Sequence, residues 1–398
     1  MLTSRLKRPA CAAVSMLLAL SLLASCGGGV DSGGTGGAVA VGPISGYGSI
    51  IVNGVRFDIS SPAILIQDDA GNARTRADLQ LGTMTEVDGS GLTVNAGVTS
   101  STASSIRIVS DVVGPVGAVD ANASTFTVLG QTVAVTPATA FDARVSGGLG
   151  GISVGTVVQV FGRYDAARQR YTATRIELAA NPASYKLRGS VSAIDPKAMT
   201  LTVGGQTISY TQLGAASVAN MMVGTTLVRA RLQIAPPGGV WVAVALQAGA
   251  LVLPDREVAH VEGRISTWSS TRQFSVDGIP VDASGATFNG SEAAVLLGAR
   301  VEVEGMSSGG VLVARVVNVE GDENAGNSAI ELHGTIDVLD PLAKTFTVRG
   351  LTVSYAGPVK FDTGGPASLM AGVPVKVEGV LAPDGVRVDA LKISFEGG

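Results

Sequence analysis

From about residue 42 to the end, apolar and polar residues alternate in short runs, the period of strands with one face buried and the other wet. Val301-Glu302-Val303-Glu304 and Val375-Lys376-Val377-Glu378 are the plainest cases, with valine on one face and charge on the other. Glycines bound the runs, and the whole pattern returns at a period of 69 to 76 residues. Each copy opens on a glycine followed by an apolar alternation: Gly42-Pro43-Ile44, Gly114-Pro115-Val116, Gly189-Ser190-Val191, Gly263-Arg264-Ile265 and Gly334-Thr335-Ile336. Self-similarity at a fixed period marks a chain built from copies of one supersecondary unit.

A hairpin follows in every copy. Its turns are Asn53-Gly54, Leu129-Gly130, Gly204-Gly205, Asp277-Gly278 and Arg349-Gly350, flanked by β-rich arms such as Phe126-Thr127-Val128 and Phe346-Thr347-Val348. Glycine at the second turn position accepts the positive φ that two-residue hairpin loops require. Next come a less regular stretch long enough for a helical turn, as at Pro366 to Ala371, and a fourth strand. That strand lies between glycines at 82 and 89, 155 and 162, 298 and 305, and 372 and 379; the third copy, Gly224 to Arg231, lacks the closing glycine. A fifth strand closes each copy, for example Ser105 to Ile108 and Leu391 to Ser394.

Five short strands with an insertion after the third, in about 70 residues, match the plan of the OB-fold. The expected fold class is therefore all-β, a tandem array of five small, five-stranded, partly open OB-like barrels behind an N-terminal leader. The expected segments are 1–25 (signal peptide, removed), 26–41 (lipidated cysteine and tether), 42–112, 113–184, 185–258 (divergent), 259–327 and 328–398. Polar linkers at Ala180 to Ser184 and Gly321 to Ser328 predict beads that each bury their own core and touch only their neighbours.

The leader departs from the alternation. Arg5, Lys7 and Arg8 precede an apolar run from Ala10 to Leu23, about 14 residues and below the roughly 20 needed for a permanent span. With Ala24-Ser25-Cys26 at its end, this is a three-part export signal. Leu23-Ala24-Ser25-Cys26 resembles the lipobox of bacterial lipoproteins, which implies cleavage between Ser25 and Cys26 and lipid on the Cys26 thiol. Gly27 stands where an aspartate resembles an inner-membrane retention signal, so the outer membrane is expected. Gly27 to Gly37 reads as a flexible tether.

Composition narrows the function classes. The two cysteines are Cys11, within the signal, and Cys26, so the mature body offers no thiol for a disulfide, metal or redox chemistry. After cleavage, 25 basic residues face 32 acidic ones, a formal charge of −7 that argues against nucleic acid as a partner. No cofactor is implied. The expected partners are the membrane, through lipid on Cys26, and an envelope protein or polysaccharide.

The lipobox, the glycine-rich tether, Ser45-Gly46-Tyr47-Gly48-Ser49-Ile50-Ile51-Val52-Asn53-Gly54-Val55 and the repeated Phe-Thr-Val-x-Gly hairpins together resemble bacterial lipoproteins built from tandem small β-barrel domains of unknown function (domain of unknown function 5666). The likeness covers nearly the whole mature chain. Copy three departs from it at Met221-Met222 and Pro236-Pro237. The resemblance implies an exported, anchored β protein and brings no catalytic residues.

Isolated motifs add little chemistry. Gly151-Ile152-Ser153-Val154-Gly155 fits the G-x-S-x-G of serine hydrolases, but it sits in a loop of one copy, and the only histidines, His260 and His333, lie in others. These histidines precede the opening glycines of copies four and five and do not form a pair at metal-ligand spacing. Glu320, Asp322 and Asn324 begin like a calcium loop but lack the bidentate glutamate further on. Glu302 and Glu304 read as the solvated face of a strand. Trp241 and Trp268 are candidate stacking platforms for a ligand, with core packing the plainer reading. The expectation is a non-catalytic structural or binding protein; the alternatives are an enzyme or enzyme subunit with its site in copy three, or a carbohydrate-binding protein.

Overall fold

The repeats fold as five-stranded rings, as a computed structural model shows for residues 36–398, apart from 96–97, 146, 225, 235–239, 249–250, 322–329, 363 and 397–398. In module 1 the ring is built from Ala38–Tyr47, Ile50–Val52, Val55–Asp58, Met84–Gly89 and Val98–Ile108. The first strand pairs antiparallel with the second and fourth, the third pairs parallel with the fifth, and the fourth and fifth pair antiparallel. Every strand thus has two neighbours, so the barrel closes where a partly open one was expected. Modules 2 to 5 repeat the plan, beginning with Val112–Asp120, Tyr185–Asp195, Arg256–Ser270 and Ile330–Asp340 and ending with Arg170–Leu178, Trp241–Ala248, Val311–Val319 and Arg387–Phe395. Closure removes the open sheet edges through which tandem β modules would otherwise aggregate.

The stretch between strands three and four contains one short 3-10 turn in every module, from Arg76–Asp78 in the first to Pro366–Ser368 in the last. Four modules add a short strand there, parallel to the fifth strand: Leu65–Asp68, Ala140–Phe141, Thr287–Asn289 and Lys360–Asp362. At two to four residues these carry no alternation a sequence could display.

The hairpin turns explain the opening glycines. Asn53, Leu129, Asp277 and Arg349 all have φ between 47° and 52°, and a positive-φ glycine follows each, as the twist of a tight hairpin demands. The side chain of the first turn residue folds over the opening glycine of its own module, so that a Cβ on Gly114 would stand 2.7 Å from Leu129 Cγ and one on Gly263 would meet the Asp277 carboxylate. Copy three differs, with positive φ at Gly204 but not at Gly205.

The expectation of separate beads fails. Residues 38–41, read as the end of the tether, belong to the first strand of module 1, and Ala38–Val41 pair parallel with Val258–Val261 of module 4. Gly46 and Tyr47 pair with Glu331 and Leu332 of module 5. One hydrophobic cluster is common to modules 1 and 5, with Phe57, Ile106, Phe346 and Ile393 among its members; a second is common to modules 2 and 3, including Phe126, Tyr171, Leu187 and Tyr210. Module 4 keeps a core of its own, to which Val39 contributes. Residues 34–398 therefore form one unit with neighbours that are not sequential. The polar linkers misled because they describe the chain's path between barrels, whereas long-range strand pairing decides which barrels touch.

Candidate functional site

The inner faces of the barrels are apolar, so any chemistry falls to their outer faces and to the seams between them. In module 4, His260 and Glu262 alternate with the buried Ala259 and Val261 on the first strand, and Glu302 and Glu304 alternate with the buried Val301 and Val303 on the fourth. Antiparallel register sets His260 opposite Glu304 and Glu262 opposite Glu302. Strand pleat thus gathers four polar side chains on one outer patch.

The four are not equivalent. Glu262 is neutralised twice: Arg163 of module 2 donates from Nη2 to its Oε1 at 2.6 Å, and Arg300 donates from Nε at 3.0 Å and from Nη2 at 2.5 Å. Burial works to raise its pKa, but the two guanidiniums overcome this and hold the carboxyl below its ordinary value. Glu302 has no such help. Burial, together with the charges of Glu262 and Glu304, pushes its carboxyl up to about 7. Asn318 donates to Glu302 Oε2 at 3.4 Å and is itself bonded to Asn289 at 2.8 Å. Burial lowers the His260 pKa, so the imidazole is neutral at pH 7; its Nδ1 is enclosed without a hydrogen-bond partner among the described residues. One ligand atom from each of His260, Glu302 and Glu304 lies within 4.8 Å of the other two.

A second polar cluster lies where modules 2, 3 and 4 meet. Arg188 donates from Nη1 to Asp111 Oδ1 at 2.7 Å and from Nη2 to the Asp277 carbonyl at 2.7 Å, and its own carbonyl accepts from Tyr171 Oη at 2.6 Å. Lys186 beside it pairs with Asp69 of module 1. Burial raises the Asp277 carboxyl to about 6 against the pull of Arg188, and its Oδ1 has no hydrogen-bond partner among the described residues. An unfolded aspartate titrates near 3.8, so between about pH 4 and 6 the folded state holds the proton more tightly, and stability falls as pH rises through that window. Asp277→Asn keeps a residue suited to the turn and removes the ionisable group. The variant should be more stable than wild type at pH 8, by as much as about 3 kcal/mol for two pKa units, and equal to it below about pH 4. Denaturant melts at the two pH values check this; a variant less stable at pH 8 refutes it.

The other candidates from the sequence lie apart. Trp268, 42% exposed, donates Nε1–H to the Val295 carbonyl at 2.8 Å. Trp241 is half-buried and meets Tyr185 edge to face at 5.4 Å. The two indoles belong to different modules. Ser153 sits exposed in a loop after the 3-10 turn Gly148–Gly151, not on a strand-to-helix turn. His333 lies at the seam of modules 1 and 5, bonded to Glu331 at 2.6 Å and Glu396 at 2.7 Å. A polar cleft that includes Lys186 and Arg231 of copy three is shared with Asp69 of module 1 and Glu177 of module 2, where the enzyme alternative expected a pocket in copy three alone. Ser25, Cys26, Asp322, Asn324 and Pro236-Pro237 lie outside the described residues.

The site residues that the sequence reading passed over are Arg163, Glu262 and Arg300, and Asp111, Arg188 and Asp277. Each is an unexceptional strand or turn residue locally; only packing between modules joins them.

A β protein of repeated five-stranded barrels, with charge concentrated at the seams, is the class that fold and sites define. The family described as Domain of unknown function (DUF5666) matches residues 113–177, 262–318 and 333–394, which fall in modules 2, 4 and 5. Those three segments are similar to that family's domain. No curated protein matches it.

Proposed function

We propose that the protein is a non-catalytic, lipid-anchored scaffold of the cell envelope: exported, cleaved before Cys26, lipidated there, and held at the outer membrane, where it presents a rigid body to an envelope protein or polysaccharide. The observation that carries this reading is the parallel pairing of Ala38–Val41 with module 4, which ties the start of the folded body directly to a non-adjacent barrel. A rigid body immediately behind a lipid anchor suits a spacer or docking platform. The sequence from Leu23 to Gly27 supplies the anchor and the outer-membrane address.

Anchoring is checked by labelled palmitate and membrane fractionation. Wild type should incorporate label and sediment with outer membranes, since several acyl chains on one cysteine give stable attachment. Cys26→Ala should lose the label and either become soluble or remain unprocessed. A wild-type protein without label sinks the anchoring half of the proposal. Crosslinking in whole cells followed by a pull-down of the mature chain tests the scaffold half.

A further inference from the structure

We propose that His260, Glu302 and Glu304 bind one divalent first-row transition-metal ion, with Zn2+ as the reference ion, on the outer face of module 4. Three observations carry this. The ligand atoms lie within 4.8 Å of one another, so modest side-chain rotation closes them around an ion held at about 2.0 to 2.2 Å from each donor. The set is one imidazole and two carboxylates, a mixture that favours zinc and its neighbours over the all-oxygen shells of calcium and magnesium. The imidazole has an enclosed ring nitrogen, Nδ1, without a partner among the described residues.

The surroundings fit a metal better than they fit the bare residues. Two carboxylates held side by side repel, and the less exposed guanidiniums Arg163 and Arg300 are committed to Glu262. A divalent ion supplies positive charge between the two carboxylates. Around the ligands, the Asn289–Asn318 pair orients Glu302, and Asn53 of module 1 donates to the His260 carbonyl at 3.2 Å, fixing the strand that carries the imidazole. Arg315 stands 3.6 Å from Glu304 Oε2 but is 76% exposed along its side chain, so it can swing into solvent when the ion enters. With three protein donors, at least one coordination position remains for water or for a donor atom of a partner. The site does not depend on the scaffold reading and stands or falls separately.

The experiment is titration calorimetry of the mature chain, stripped with chelator and then loaded with Zn2+. One equivalent should bind, and affinity should fall at least tenfold in His260→Asn and in Glu302→Gln, each of which should keep its wild-type circular dichroism and a cooperative melt before metal is added. His333→Asn, at the seam of modules 1 and 5, should bind as wild type does. Millimolar Mg2+ should not displace the zinc. Binding of less than half an equivalent, unchanged affinity in both ligand variants, loss of binding in His333→Asn, or displacement by Mg2+ overturns the proposal.

Discussion

Arg188→Met is expected to cost about 3 to 5 kcal/mol of folding stability, the range for removing one partner of a buried ion pair and leaving its counter-charge behind. Arg188 and Asp111 are only 7% and 2% exposed along their side chains, so water cannot take over the lost contacts. Methionine fills much of the volume but offers no donor to Asp111 or to the Asp277 carbonyl. The loss should depend on pH with a definite sign. Asp277, already raised to about 6, is lowered by Arg188, so without the guanidinium its carboxyl rises further. Protonation then relieves the strain, and the cost of the substitution should shrink as pH falls from 8 towards about 6 and level off below it. Adding Asp111→Leu to Arg188→Met should recover part of the loss, because an apolar pair of similar size does not have to be desolvated. Urea melts of the single and double variants at pH 5 and pH 8 measure all three effects. A single variant within 1 kcal/mol of wild type at pH 8 would mean that the three-module junction is not held by this arginine.

The same junction marks the boundary of what the sequence discloses. Strand alternation, the x-Gly turns and the paired glycines around strand four are local signals, and each corresponds to a real strand, turn or bulge in the structure. The count of five strands per barrel, with the insertion after the third, followed from them. Which barrels meet did not follow. The parallel pairing of Val39 with Ala259 and the meeting of Arg188 with Asp111 join residues up to 220 positions apart, and nothing in either stretch advertises the other. One local signal was legible and went unread. Asp120, Asp195 and Asp340 each end a first strand and accept backbone N–H bonds at 3.0 Å or less from residues two and three further on, closing the loop into strand two. The cluster of His260, Glu302 and Glu304 is an intermediate case. Glu302 and Glu304 were visible as a strand-face pair and His260 as a strand residue, but only the register of strands one and four sets histidine opposite glutamate.

Gly162→Ala should destabilise by about 3 kcal/mol or more, although a single methyl group is all that it adds. Gly162 lies within strand four of module 2, Val157–Asp165, and at this point the pairing with strand five slips by one residue between Phe161 and Gly162. The same bulge recurs at Gly89, Gly305 and Gly379, which is why a glycine recurs there; it ends the strand in module 1, but strand four runs on past it in modules 2, 4 and 5. Copy three makes the bulge between Arg231 and Leu232 without it. A bulge tightens local twist and brings the two backbones together. A Cβ on Gly162 would stand 2.5 Å from the Thr172 carbonyl oxygen and 3.2 Å from Ala173 Cα, atoms that cannot rotate away. Gly155→Ala, in the turn that precedes the same strand, provides the comparison. Its φ of 87° strains alanine, but nothing lies within 4 Å of the new methyl, so its cost should stay near 1 to 2 kcal/mol. If backbone conformation alone explained these glycines, Gly155→Ala would be the worse of the two, because its φ is positive and that of Gly162 is not. Calorimetry should also show how far the damage travels. Since modules 2 and 3 share one hydrophobic cluster, Gly162→Ala should lower the melting of both together, while an early transition confined to module 2 would mean that the barrels melt as separate beads.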